Sequence, residues 1–328
     1  MTEQVTRHIE LMVPVDARWE RLDKYLAVVA ELGLSRTRAQ MLIGNGQVKV
    51  DGEVVRSNHR VKPGQKIEAV IPPLPELDWS PEDIPFDVVY EDPYLAVVNK
   101  PAGLVTHPAK GNYSHTLVNG LVHRFGRLPS LAEGGRPGVI HRLDKQTSGL
   151  LLVAKEEKVM YQLQRMLEQR QIKRSYVALV CGHLVEDSGT IELPIGRSAT
   201  ERTKMAVTHE NSRPAITHYT QRERFRSYDL LDVSLETGRT HQIRVHFSHL
   251  GHPVFGDPEY GGRETWVQGM FAPERPLAKR MLALIGRQAL HARRLELVHP
   301  VTNTPLVCEV DPPDDFKAVL ALLENEGR

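Results

Sequence analysis

The chain has 328 residues, with 42 Lys+Arg against 41 Asp+Glu, 41% hydrophobic and 25% charged residues, a composition that excludes fibrous and disordered classes. No apolar run approaches the ~20 residues that cross a bilayer, and residues 1–10 lack the apolar centre of a signal peptide, so a cytoplasmic protein with no membrane partner is expected. Cys181 and Cys308 are the two cysteines; they cannot build a disulfide framework or a thiolate zinc site.

Residues 1–17 read as an N-terminal tail. Beyond them, Leu22, Leu26 and Val29, then Ala39, Leu42 and Ile43, fall at helical spacing, with Gly33 placed to end the first helix and Ser35 to cap the second. Asp51-Gly52 between valines predicts a two-residue hairpin, because both turn positions need positive φ. Val61–Ile67 adds a turn and a strand. Residues 18–71 therefore form one small module. Its cations Arg36, Arg38, Lys49, Arg56, Arg60, Lys62 and Lys66 are opposed by Asp51 and Glu53, which suits either a phosphate-binding surface or a merely solvated face. Pro72, Pro73, Pro75, Pro81 and Pro85 make residues 72–85 an extended, stiff linker.

Residues 86–328 mix strands and helices without a βαβ rhythm. Strands are predicted at Phe86–Tyr90, Leu95–Asn99, Leu150–Ala154, Ser175–Val180, Thr217–Gln221, Tyr228–Leu235 and Leu295–His299, and helices at Lys158–Gln171 and Asp315–Glu326. The class is α+β. Residues 264–287 match no motif.

Nucleotide-cofactor and nucleophile-elbow motifs are absent from the sequence. His241, His246, His249 and His252 lie close together, but without a carboxylate among them and beside Arg239 and Arg244, so no metal is expected. Two clusters remain. In His141-Arg142-Leu143-Asp144-Lys145-Gln146-Thr147-Ser148-Gly149 an acid sits among cations just before an apolar strand. There it is either an ionised carboxylate fit for catalysis or a surface ion pair capping a turn. Glu236-Thr237-Gly238-Arg239-Thr240-His241-Gln242-Ile243-Arg244 reads as an arginine cluster for phosphate or carboxylate.

Together these clusters resemble the RluA family of pseudouridine synthases, most closely its RluD branch. The likeness extends to residues 98–108, Lys173–Val180, Arg202–Val207, Gly256–Arg263 and Gln288–Ala292. The N-terminal module resembles the S-four-type RNA-binding domain. The resemblance implies a pseudouridine synthase fold with a mixed, largely antiparallel central sheet over residues 86–328, preceded by that small domain. It implies a monomer that isomerises uridine to pseudouridine in 23S ribosomal RNA or the assembling large ribosomal subunit, at the helix 69 stem-loop, by base flipping and with no cofactor or metal. Asp144 matches the catalytic aspartate, Arg244 its ionic partner, Tyr176 the residue packed on the target base, and Arg142 the arginine entering the vacated base position. Whether Asp144 attacks the sugar, attacks the ring or removes a proton stays open. Arg36, Arg38 and Lys49 in the small domain, and Arg197, Arg202 and Lys204 in a loop, are expected to bind RNA, and residues 264–287, outside the family's motifs, are expected to form an insertion or RNA-facing loop.

Overall fold

The structure, a computed structural model, describes residues 6–15, 19–29, 32, 34, 36–72, 79–108, 112–130, 137–201 and 203–326, apart from the side chains of residues 37 and 38. The chain divides into two compact units, residues 1–76 and 77–328.

In the first unit, helices α1 (Leu22–Val28) and α2 (Arg36–Gly44) carry Leu22, Leu26, Ala39, Leu42 and Ile43 into a core shared with a four-stranded sheet. That sheet runs β1 (Arg7–Met12), β6 (Lys66–Ile71), β3 (Val48–Val50), β4 (Glu53–Val54), while β2 (Glu20–Arg21) pairs with β5 (Arg60–Val61). Asp51 and Gly52 both have positive φ, 50° and 85°, as the hairpin between β3 and β4 requires. One expectation is corrected: residues 7–12 are a strand rather than a tail. Ile9 and Leu11 pack on the core while His8 and Glu10 face outward on an antiparallel pairing with β6. Gly33 and Ser35, expected to punctuate the two helices, lie outside the described residues.

Residues 73–78 of the expected linker also lie outside them. Residues 79–85 belong to the second unit: Trp79 packs on its core and the Ser80 carbonyl accepts from the Asn119 amide.

The second unit is built on one mixed sheet. Its order is β11 (Ser188–Glu192), β14 (Ile216–Phe225), β15 (Tyr228–Leu235), β10 (Lys173–Cys181), β16 (Leu290–Val298), β9 (Ser148–Ala154), β8 (Leu95–Lys100) and β7 (Asp87–Glu91), with β17 (Pro305–Glu309) also on β16. A separate hairpin joins β12 (Ile195–Arg197) to β13 (Met205–Val207). The central strands β9 and β10 are almost continuously buried, because helices cover both faces of the sheet. The two-residue period divides their side chains between those faces. Tyr176, Ala178, Val180, Leu151 and Val153 pack against α3 (Leu117–Phe125) and α5 (Gln242–His249). On the other face, Leu150, Leu152 and Ala154 meet α4 (Glu157–Glu168), and Val177, Leu179 and Cys181 meet α7 (Arg275–Leu284) and α8 (Asp314–Glu326).

Residues 264–287, expected as an insertion or RNA-facing loop, are not a loop: they form α6 (Glu264–Gly269), a 3-10 turn at Ala272–Glu274 and α7. Val267, Met270, Ala278 and Met281 join Phe316, Val319 and Leu323 in the core, so apolar burial holds this segment. Pro273 and Pro276 break its periodicity into short pieces.

Among the described residues β9 and β16 form the parallel pair of the sheet, with Gly149 opposite Ala292. Gly149 has φ 116°, and a Cβ there would stand 2.2 Å from the Ala292 carbonyl oxygen. Gly149→Ala should therefore cost on the order of 4 kcal/mol of stability, read as a lost or sharply lowered unfolding midpoint in urea; a near-unchanged midpoint would refute the close-approach account.

Candidate active site

Asp144 lies in the extended segment that feeds β9. Its backbone is braced from two directions. Thr106 Oγ1 donates to the Leu143 carbonyl (2.8 Å) and the Gly103 N–H to the Lys145 carbonyl (2.9 Å). From the other side, Arg287 donates to the Gln146 carbonyl (3.2 Å) and Gln288 to Thr147 Oγ1 (3.1 Å). Just upstream, burial pushes the His141 imidazole down to about 3, and its neutral Nε2 accepts the Leu152 N–H at 3.2 Å. A carboxylate so held loses little conformational freedom when it acts.

Lys100 ends β8 beneath this segment, fully buried, donating to the carbonyls of Pro101 (2.8 Å), Leu104 (2.9 Å) and Lys145 (3.2 Å). Burial pushes its ammonium down to about 7; the charge of Asp144 opposes this and that of Arg287 adds to it.

Arg244 enters from the first turn of α5. The turn before it is locked by Gln242, which accepts from the Arg239 N–H (3.0 Å) and Thr237 Oγ1 (2.8 Å) and donates to the Ile216 carbonyl (2.9 Å). The Arg244 side chain is 5% exposed and reaches three carboxylates: Asp144 Oδ2 at 3.2 Å from Nη1, fully buried Asp257 at 2.5 Å from Nε and 3.0 Å from Nη2, and Glu259 at 2.8 Å from Nη2. Burial alone would lower the guanidinium's proton affinity. The carboxylates of Asp257, Asp144 and Glu259 outweigh it and hold the group above the ordinary arginine range. Asp257 also accepts the N–H groups of Glu259 and Tyr260 (2.9 and 3.1 Å), and the Tyr260 ring lies 4.8 Å from the guanidinium carbon.

Asp144, Tyr176, Arg244 and Arg142 line one cavity, with Leu143, Leu235, Ile243 and Leu290 as apolar wall. Tyr176, on β10, is buried, and burial raises its phenol, with Arg174 opposing and the nearby charge of Asp144 adding to the rise. Arg142 is exposed at the rim, where a second cleft opens, lined also by Arg170, Arg174, Arg213 and Arg239. Burial lowers Arg239, and the charge of Arg213 lowers it further; Arg170 pairs with Glu236, and among the described residues the cleft's five arginines face only two lining acids, Glu168 and Glu236. The four expected site residues thus meet at one place.

The expected RNA-binding residues are placed less uniformly. Arg36 is engaged with buried Asp23 (3.0 Å), alongside Arg21 and Gln40, and so helps hold α2 to α1. Lys49 is exposed on β3, Arg197 is exposed on β12, and Lys204 pairs with Glu201 at 2.7 Å. Arg202 and the Arg38 side chain lie outside the described residues. The histidines do not converge: His246 is buried and bonded to Thr217 Oγ1 (2.9 Å) and the Leu193 carbonyl (3.0 Å), and among the described residues no group of three or more His, Cys, Asp or Glu is arranged to hold a metal. No described helix is long and apolar enough to cross a membrane.

Sequence reading missed Asp257, Glu259, Tyr260 and Lys100 as site residues, along with Arg170, Arg174 and Arg213 of the cleft; it weighed His241 for metal alone and placed Arg239 in the arginine cluster. Asp257 and Glu259 stand in a glycine-rich acidic run just after α5, a signal that a buried arginine nearby needs acids.

Residues 94–249 match the family model described as RNA pseudouridylate synthase, and residues 20–67 match the S4 domain. The chain is 41% identical to Ribosomal large subunit pseudouridine synthase D of Xanthomonas campestris pv. campestris, over 97% of this chain and 93% of that protein. It is 39% identical to the Uncharacterized RNA pseudouridine synthase YlyB of Bacillus subtilis, over 97% and 99%. Among solved structures, Human RNA Pseudouridylate Synthase Domain Containing 1 superposes with a TM-score of 0.53 at 29% identity, covering 74% of this chain and 89% of that one. The chain belongs to the RNA pseudouridine synthase family and is an enzyme of that class, with an S4 domain before its catalytic domain.

Two outcomes follow from this geometry. Asp257→Asn leaves a buried guanidinium short of one charge and should cost about 3 kcal/mol of stability; urea unfolding within experimental error of wild type would contradict it. Lys100 ionises near ~10.4 when unfolded and at about 7 when folded. The unfolded chain therefore holds more protons between those values, and this residue's contribution to stability rises as pH climbs through that window. The stability of wild type relative to Lys100→Met should accordingly grow between pH 7 and pH 10, and a pH-independent difference would count against the depressed ionisation.

Proposed function

We propose that this enzyme isomerises uridine in large-subunit ribosomal RNA, at the helix 69 stem-loop, with Asp144 as the catalytic carboxylate. The observation that carries the reading is Asp144 itself: a partly exposed carboxylate on a braced segment, pinned through one oxygen by Arg244 in a cavity walled by Tyr176 and apolar side chains. The ribosomal target is supported by the name of the Xanthomonas relative and by the S4 domain; the Bacillus relative's name specifies RNA alone. The stem-loop is supported by the resemblance to the RluD branch.

The isomerisation breaks the bond from the sugar to N1, makes one from the same carbon to C5, and moves a proton from C5 to N1. Oxidation state is unchanged, so the chain's own groups can supply what the reaction needs. A flipped nucleotide enters beside Asp144. Arg244 keeps the carboxylate aimed, and the Tyr176 ring offers a face on which the detached base can rest while it turns. Arg142 at the rim fills the position the base has left, and Arg170, Arg174, Arg213 and Arg239 meet the phosphates on either side.

The test is pseudouridine formation in ribosomal RNA lacking the modification. Asp144→Asn should lower turnover on the order of a thousandfold or more with RNA affinity within about threefold of wild type. Turnover near wild type in that variant would end the assignment. Modification mapped outside the helix 69 loop would end the target assignment alone.

A further inference from the structure

His241 stands on the wall of the Asp144 cavity without a role in the reaction as described. It precedes α5 with φ 57° and ψ 22°, in the left-handed region where a residue with a side chain is held at a conformational cost. That backbone turn brings its Nε2 to 3.9 Å from Asp144 Oδ1, whereas Arg244 Nη1 lies 3.2 Å from Oδ2. The two oxygens of the carboxylate therefore face two different residues.

The other ring nitrogen identifies which proton is where. His241 Nδ1 is 2.9 Å from the Tyr260 hydroxyl, with the rings edge to face, and that hydroxyl oxygen accepts the backbone N–H of Met205 at 3.2 Å. Burial pushes the Tyr260 phenol far up, so it keeps its proton. The Met205 N–H takes one lone pair of the oxygen, and Nδ1 lies within hydrogen-bond reach of the hydroxyl's own proton; Glu259 Oε2, at 3.6 Å from Nδ1, is too far to accept a hydrogen from that nitrogen. A neutral imidazole that accepts at Nδ1 carries its hydrogen on Nε2.

We propose that His241 is a positioning residue of the synthase: its Nε2–H, oriented by Tyr260, holds Oδ1 of Asp144 while Arg244 holds Oδ2. The inference rests on Asp144 being the catalytic carboxylate. The 3.9 Å separation exceeds a hydrogen bond, so the contact closes when the nucleotide fills the cavity and the carboxylate is desolvated. Met205 is the first residue of β13, directly after the loop that carries Lys204. The chain Met205–Tyr260–His241 thus joins that loop to the carboxylate.

His241→Asn keeps a residue tolerant of left-handed backbone but cannot reach Asp144, and should lower kcat ten- to a hundredfold with RNA Kd within about twofold of wild type. Tyr260→Phe removes the orienting proton and should lower kcat by less, about three- to tenfold. The double variant should be no slower than His241→Asn alone, because the tyrosine acts through the histidine. Nitrogen NMR of the free wild-type enzyme, with the ring neutral, should show the Nε2–H tautomer, and Tyr260→Phe should shift it toward a mixture. The proposal is overturned by a wild-type Nδ1–H tautomer, by kcat losses that multiply in the double variant, or by normal turnover in His241→Asn. The tautomer and the Tyr260→Phe measurement stand even if His241→Asn fails to fold. Asp144→Asn run alongside separates the failures: an active Asp144→Asn sinks the catalytic reading, whereas an inactive one beside an active His241→Asn sinks only this inference.

Discussion

A guanidinium taken out of water must find its charge compensated within reach, and Arg244 does so with three carboxylates. Two of them, Asp257 and Glu259, are structural partners. The third is Asp144, the most loosely held of the set, joined by one contact at 3.2 Å. The asymmetry matters chemically. Fork-to-carboxylate bonding to Asp257 fixes the arginine in orientation, so the remaining Nη1 is a rigid donor, and Asp144 is aimed by a group that cannot drift. Had Asp144 been the sole partner, the same contact would bind the carboxylate more tightly and leave it less available to a nucleotide.

Much of the surrounding fold exists to deliver those groups to one point. Asp144 reaches it from the parallel β9–β16 junction, where Gly149 permits a close approach that no other residue allows. Arg244 reaches it from α5, whose start is locked onto β14 through Gln242 and Thr217. Tyr176 comes from β10, which lies between β15 and β16. A sheet buried on both faces makes these positions mutually stiff, since any shift in one strand disturbs packing on two sides.

How much of this the sequence disclosed depended on the range of the physics involved. Strands such as Tyr228–Leu235 and helices such as α4 and α8 were legible because their apolar periodicity is local. The hairpin at Asp51-Gly52 was legible because its φ requirement is met by two adjacent residues. Strand β1 was missed because Ile9 and Leu11 acquire meaning only once β6, more than fifty residues on, offers its edge. The helices of 264–287 were missed because prolines chop their pattern, while their stability comes from packing on α8. Asp144, Arg142, Tyr176 and Arg244 were singled out through resemblance; spacing alone left Asp144 open between a catalytic group and a surface ion pair.

The residues that stayed hidden share a physical character: each acts by holding something else. Lys100 binds backbone carbonyls, Gln242 ties a turn, Asp257 neutralises an arginine, and Tyr260 meets a backbone N–H and an imidazole. Such residues have no signature of their own, because their partners are set by tertiary geometry. Their density around one partly exposed carboxylate is informative in itself. Braced segments and buried charges cost stability that a purely structural loop has no reason to incur. Here that cost is concentrated on Asp144, as the catalytic role proposed for it would require.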